Sequence, residues 1–258
     1  MLSLALALGT CASRASLTEY QAAVRSEPSL ISYYTFDAGN ARDTKAANHG
    51  TVSGNATYDT GAGGGADRAL VLNGTGHVNL GQVDAFDFLT GTGSVEAWIR
   101  ADWTSSPGYN PAIFADRDGG PVNWSVHLEA SKAAGGLWNG SSYQPMAVPA
   151  PGTGWHHLVV VFDYDATTGA STFTLYWDGQ LMGVREQALG ITPEAPTQLG
   201  SSAPGGRNAG SAPWTKWPST AKPSARPRSR RTTSRSSWAT RPSSKRHLSV
   251  VCSWPGSR

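Results

Sequence analysis

From residue 31 to about residue 199 the chain never sustains a helical period. Short runs rich in β-branched and aromatic residues recur instead, each closed by Gly, Asn, Asp or Pro. They are Ile31–Phe36, Ala69–Leu72, His77–Leu80, Ser94–Arg100, Ala112–Ala115, Trp124–Leu128, Gly136–Trp138, His156–Phe162, Thr172–Trp177 and Leu181–Arg185. Runs of this length, spaced by turn residues, read as strands. Ten such strands with no helices between them predict an all-β, antiparallel, two-sheet sandwich. Asp178-Gly179 sits between two of the runs and predicts a type I′ hairpin, because both central residues of that turn need positive φ. Leu158–Phe162 (LVVVF) is apolar at every position, which predicts a central strand covered on both faces.

Composition agrees with an exported β-module. Of 258 residues, 30 are Gly and 10 are Trp, and only 15% are charged. No apolar stretch reaches the roughly 18 residues of a membrane-spanning helix. The two cysteines, Cys11 and Cys252, lie near opposite ends, so the middle holds no disulfide framework and no cysteine-based metal site. Residues 2–9 (LSLALALG) have the length of a signal-peptide apolar core. Small residues follow, with cleavage expected near Ser13 or Ala15 and no basic segment ahead of Leu2. A secreted or surface location is the expectation, with residues 1–15 signal-like and 16–27 a linker.

The net charge of +3 conceals a split. The first 214 residues carry 10 Lys/Arg against 18 Asp/Glu, a balance of −8. The last 44 carry 11 Lys/Arg and no acid, a balance of +11. The basic character therefore belongs to the tail alone.

Several segments, taken in order, resemble the laminin G-like, concanavalin A-like jelly roll of secreted bacterial proteins. They are Tyr33–Asp37 (YYTFD), the turn Asp43–Gly50 (DTKAANHG), Ala69–Leu80 (ALVLNGTGHVNL), Ser94–Arg100 (SVEAWIR), Gly154–Asp163 (GWHHLVVVFD) and Leu175–Met182 (LYWDGQLM). The resemblance spans roughly residues 28–206 and implies a two-sheet antiparallel jelly roll. The fold hosts many functions and fixes none of them.

In that family a closing strand and short helix follow the position of Leu199–Gly206. Here residues 207–258 are rich in Arg, Ser, Thr and Pro and show no periodicity, the composition of a disordered segment. Read two nucleotides later with permissible codons, Trp214–Thr233 can encode DEVAIYGKALSAAQIAAHY, a close match to the family's closing line. The expectation is a frameshift between about Arg207 and Trp214 and a missing closing strand. The codons of the gene test it.

Related glucanases place acids on one strand as E-x-D-x-E, so that alternation brings all three to one face. The corresponding stretch here has Glu96, Trp98 and Arg100, and no nucleophile–base pair or phosphate loop is visible elsewhere. A non-enzyme is expected. His156-His157 are neighbours on a strand and so face opposite ways, which prevents joint chelation of one ion. The resemblance implies a structural calcium ion on Asp37, Asp43 and the Gly50 carbonyl, incomplete without the acid of the closing strand. For a ligand, rings that stack on sugars are sought near loops. Trp103, Tyr109, Trp124, Trp138 and Tyr143 are the candidates, with Asn110, Asp116, Asp118, Asn123 and Asn139 as polar neighbours. These point to a non-catalytic carbohydrate-binding or adhesion module with glycans or extracellular proteins as partners. The alternatives are an architectural spacer, or nucleic-acid or anionic-surface binding through the tail if that tail is genuine.

Overall fold

The computed structural model describes residues 17–61, 63–73, 76–86, 92–101, 109–117, 122–139, 141–149, 154–165, 167–168, 170–189, 195–200, 213–217 and 246–250. The signal-like residues 1–15, Trp103 and most of the basic tail lie outside these. No helix among the described residues is long and apolar enough to cross a membrane.

All ten strand-like runs overlap strands, with Thr35, Phe36 and Arg100 falling beyond the ends of theirs. One sheet has six strands in the order β1 (Leu30–Tyr34), β16 (Arg246–Val250), β6 (Thr92–Ile99), β11 (His156–Asp165), β12 (Ala170–Trp177) and β13 (Gln180–Glu186). The other has seven: β10 (Tyr143–Ala147), β9 (Ala134–Trp138), β8 (Val122–Leu128), β7 (Ala112–Arg117), β14 (Thr197–Leu199), β5 (His77–Gly81) and β2 (Thr51–Ser53). A small third sheet joins β15 (Pro213–Trp217), β4 (Arg68–Asn73) and β3 (Thr57–Thr60). The expected linker instead contains a helix, α1 (Leu17–Arg25), whose Tyr20 and Val24 pack on Leu30 and Tyr33 of β1. The β12–β13 turn is of the expected hand, with Asp178 at φ 50° and Gly179 at φ 77°.

Strand register shows how the sandwich is assembled. Cross-strand partners share a face of their sheet. In the seven-stranded sheet one row of partners reads Val52, Val78, Leu199, Phe114, Val126, Leu137 and Gln144. Its five central members are buried in the main core. In the six-stranded sheet the matching inner row contains Val95, Val160 and Leu175, also core. Phe162 on that face stacks obliquely on Trp124 of the opposite sheet, with ring centres 5.2 Å apart. Leu158–Phe162 is central, as expected, but Val159 and Val161 on its other face are only half-buried.

Two tail segments depart from the expectation of disorder, since β15 pairs with β4 and β16 lies between β1 and β6. A strand from the basic tail thus lies inside the six-stranded sheet. β16 runs parallel to both neighbours, whereas the other paired strands described are antiparallel. The physical reason is that β1 and β6 both turn backbone N–H and C=O groups into the gap, and any extended segment satisfies them whatever its side chains.

Candidate functional site

One residue along from the core row, the seven-stranded sheet presents its outer face. The row of partners there is Thr51, Asn79, Gln198, Ala115, Ser125, Trp138 and Tyr143. Trp138 and Tyr143 are therefore direct cross-strand neighbours, both half-buried. His127, two residues from Ser125, stands beside them. Its ring meets Trp138 and Tyr143 edge-on, each with centres 6.3 Å apart. The guanidinium of Arg117 lies 4.9 Å from the centre of the Trp138 ring, within cation–π range.

Buried hydrogen bonds fix the imidazole. His127 Nδ1 is 2.8 Å from the Asn110 carbonyl oxygen, which can only accept, so the ring proton sits on Nδ1. Nε2 then accepts from the Ser125 hydroxyl at 2.7 Å. Burial lowers the pKa of His127 to about 4; the Asn110 bond opposes the shift and the Arg117 charge reinforces it. The ring is neutral at physiological pH. Two other groups on this face are buried without satisfaction: the Tyr143 hydroxyl and the Oε1 of Gln198, a residue only 1% exposed, have no hydrogen-bond partner. Burial, and secondarily the charge of Glu129, raises the Tyr143 pKa, so the hydroxyl keeps its proton.

The five aromatic candidates separate. Trp138 and Tyr143 come together. Trp124 does not join them, because it shares strand parity with Val126 and is buried in the core at 1% exposure. Tyr109 packs against the core from its edge. Trp103 lies outside the described residues, as does Asp118. Of the polar candidates, Asn123 Nδ2 bonds Asp116 Oδ1, and Asn139 spans to the Ala188 carbonyl. His127, Ser125, Arg117 and Gln198 were not expected from sequence. Strand alternation from Trp138 across the sheet is the signal that connects them, and it requires the register.

Of the donor set that the resemblance implies for calcium, Asp43 is engaged within the fold. Asp43 is 2% exposed, and its carboxylate is already occupied by backbone amides. Oδ1 accepts from Tyr33, Lys45 and Ala46, and Oδ2 from Asn48. Asp37 is exposed and accepts from the Arg68 amide, while the Gly50 amide donates to Ala41. Among the described residues no three His, Cys, Asp or Glu side chains gather as a metal site.

His156 and His157 part as expected. His156 stacks on Trp177 and bonds Asp178 at 2.7 Å. Burial acts to raise the Asp178 pKa, but the bonds from His156 and the His157 amide outweigh it and the net shift is downward. His157 turns to the outer face of the six-stranded sheet, 2.8 Å from Glu96, which also accepts from the Tyr20 hydroxyl at 2.9 Å.

Comparison with known proteins places the fold. No curated protein matches the chain. Among solved structures, the botulinum neurotoxin serotype C1 binding domain is 16% identical over 69% of this chain and 45% of its own, with a TM-score of 0.47. A carbohydrate esterase, vb_24B_21 from the Shiga toxin-encoding bacteriophage phi24B, is 12% identical over 69% of this chain and 93% of its own, with a TM-score of 0.45. The chain spans less than half the length of the toxin domain. A family model covers residues 72–215, more than half of the sequence and both main sheets in part. With that match laid over an antiparallel two-sheet sandwich, the chain belongs to the concanavalin A-like lectin/glucanase superfamily.

Proposed function

We propose that this chain is a non-catalytic carbohydrate-binding module of a secreted or surface protein, and that it binds saccharide on the outer face of the seven-stranded sheet. The observation that carries the reading is the Trp138–Tyr143 pair together with the unsatisfied Tyr143 hydroxyl. A buried polar atom without a partner costs about 1–3 kcal/mol. A sugar hydroxyl supplies an acceptor for the Tyr143 hydroxyl, and the aromatic faces suit the apolar side of a pyranose. The neutral His127 acts as a wedge that holds both rings upright.

Glycan-array screening of the full chain, followed by calorimetry on the best saccharide, tests the proposal. Saturable binding is expected, lost in Trp138→Ala and weakened severalfold in Tyr143→Phe. Binding that survives Trp138→Ala places the site elsewhere. The absence of any glycan hit leaves the architectural-spacer reading in its place.

A further inference from the structure

A second cleft, of about 480 Å³, opens beside the start of β4, and none of the aromatic-row residues line it. Asp37, Tyr58, Asp59, Asp67 and Arg68 do, so three carboxylates face one guanidinium. Gly65, without a side chain and at φ +57°, forms part of the wall and leaves it open.

Asp67 is the informative member. It is 6% exposed, held by the glycine-rich loop that precedes it. Its Oδ2 accepts from the Gly63 amide at 2.9 Å, and a Cβ at Gly61 would fall 2.0 Å from the same oxygen. Its Oδ1 has no partner. Neither has the buried hydroxyl of Tyr58, which lines the same cleft. Two unsatisfied oxygens beside one acidic cleft ask for a ligand that donates hydrogen bonds and carries positive charge. Burial pushes the Asp67 carboxyl up to about 7; the Gly63 amide opposes this and the Asp37 charge adds to it.

A bare metal ion is the poorer fit. No three ligating side chains converge among the described residues, and the volume far exceeds that of one water molecule, about 30 Å³. The acids are spread around a space of small-molecule size. We propose that this cleft binds a small organic cation bearing a primary ammonium group, which donates to Asp67 Oδ1 and the Tyr58 hydroxyl oxygen while Asp37 and Asp59 supply the surrounding negative field. The site is independent of the saccharide face.

The test is calorimetric titration of the full chain with 1,4-diaminobutane, its neutral isostere 1,4-butanediol, and calcium chloride. The diamine should bind saturably and the diol should not. Asp67→Asn and Asp37→Asn should each weaken the diamine at least tenfold, with Glu186→Gln on β13 unchanged. Should Asp67→Asn fail to fold, the exposed Asp37→Asn carries the test alone. Equal response to diamine and diol, no response to either, or diamine affinity untouched by both variants overturns the proposal. Binding of calcium without the diamine also overturns it, in favour of a metal site.

Discussion

The two sheets turn opposite outer faces to their surroundings, and each carries a histidine among aromatic rings. On the six-stranded sheet, His157 and Tyr20 both meet Glu96, while the Trp98 ring lies 5.2 Å from that of His157. Helix α1 lies over the β1 end of this face, with the Arg25 guanidinium 5.0 Å from the centre of the Tyr33 ring. On the seven-stranded sheet, His127 is just as well bonded, yet the Tyr143 hydroxyl beside it is left buried and without a partner. Similar residue types thus serve two purposes. The first face is closed by its own chain. The second keeps a buried hydroxyl without a partner.

The largest expected effect comes from breaking the closed face. Glu96→Ala strands the His157 Nε2 and the Tyr20 hydroxyl together, which should cost about 2–5 kcal/mol in urea unfolding. A loss below about 1 kcal/mol would mean that the helix, and not this network, holds the face.

The next effect separates the faces by pH. His127 titrates near 4 when folded and near 6.5 when unfolded. Between those values the unfolded chain binds the extra proton, so stability falls as pH falls. The contribution is on the order of 3 kcal/mol, present above about pH 6.5 and gone below about 4. Asp67 acts with the opposite sign over much of this window, because its raised pKa makes the folded state the better proton binder. The difference between wild type and His127→Gln removes that background and should isolate the histidine. Parallel pH–stability curves for the two proteins would contradict a buried neutral ring.

Two tyrosines sharpen the contrast further. Tyr20→Phe removes a bond to Glu96 and should cost about 1 kcal/mol. Tyr143→Phe removes a buried hydroxyl that bonds nothing, so thermal unfolding should show a gain of about 1 kcal/mol. Saccharide affinity should fall at the same time. A large stability loss in Tyr143→Phe would show that the hydroxyl is satisfied within the fold.

The strands were legible in the sequence because β-branched and aromatic runs between turn residues need no tertiary information. The hairpin at Asp178-Gly179 was legible for the same reason. Helix α1 was not, since nine residues with mixed polarity gain their stability only from packing on Leu30 and Tyr33. Short strands such as Thr51–Ser53 and Thr197–Leu199 escaped because three residues carry no period. At the candidate site, composition picked out Trp138 and Tyr143 but could not separate them from Trp124. The difference lies in strand parity, which sequence shows only once the register is known. Asp67 was hidden in a glycine-rich stretch that reads as a loop, and its missing partner is a property of three-dimensional burial.

The insertion of β16 between β1 and β6 also bears on the order of assembly. Among the described residues, the first strand of the sandwich reaches the rest of its sheet through β16, far later in the sequence. During synthesis β11, β12 and β13 can zip together as local hairpins against β6. Strand β1 and the helix that leans on it must wait, tethered but unpaired, until that last segment arrives. Pairings of such long sequence separation are slow and leave edges open meanwhile. The nascent chain is therefore most exposed to aggregation before β16 has been made.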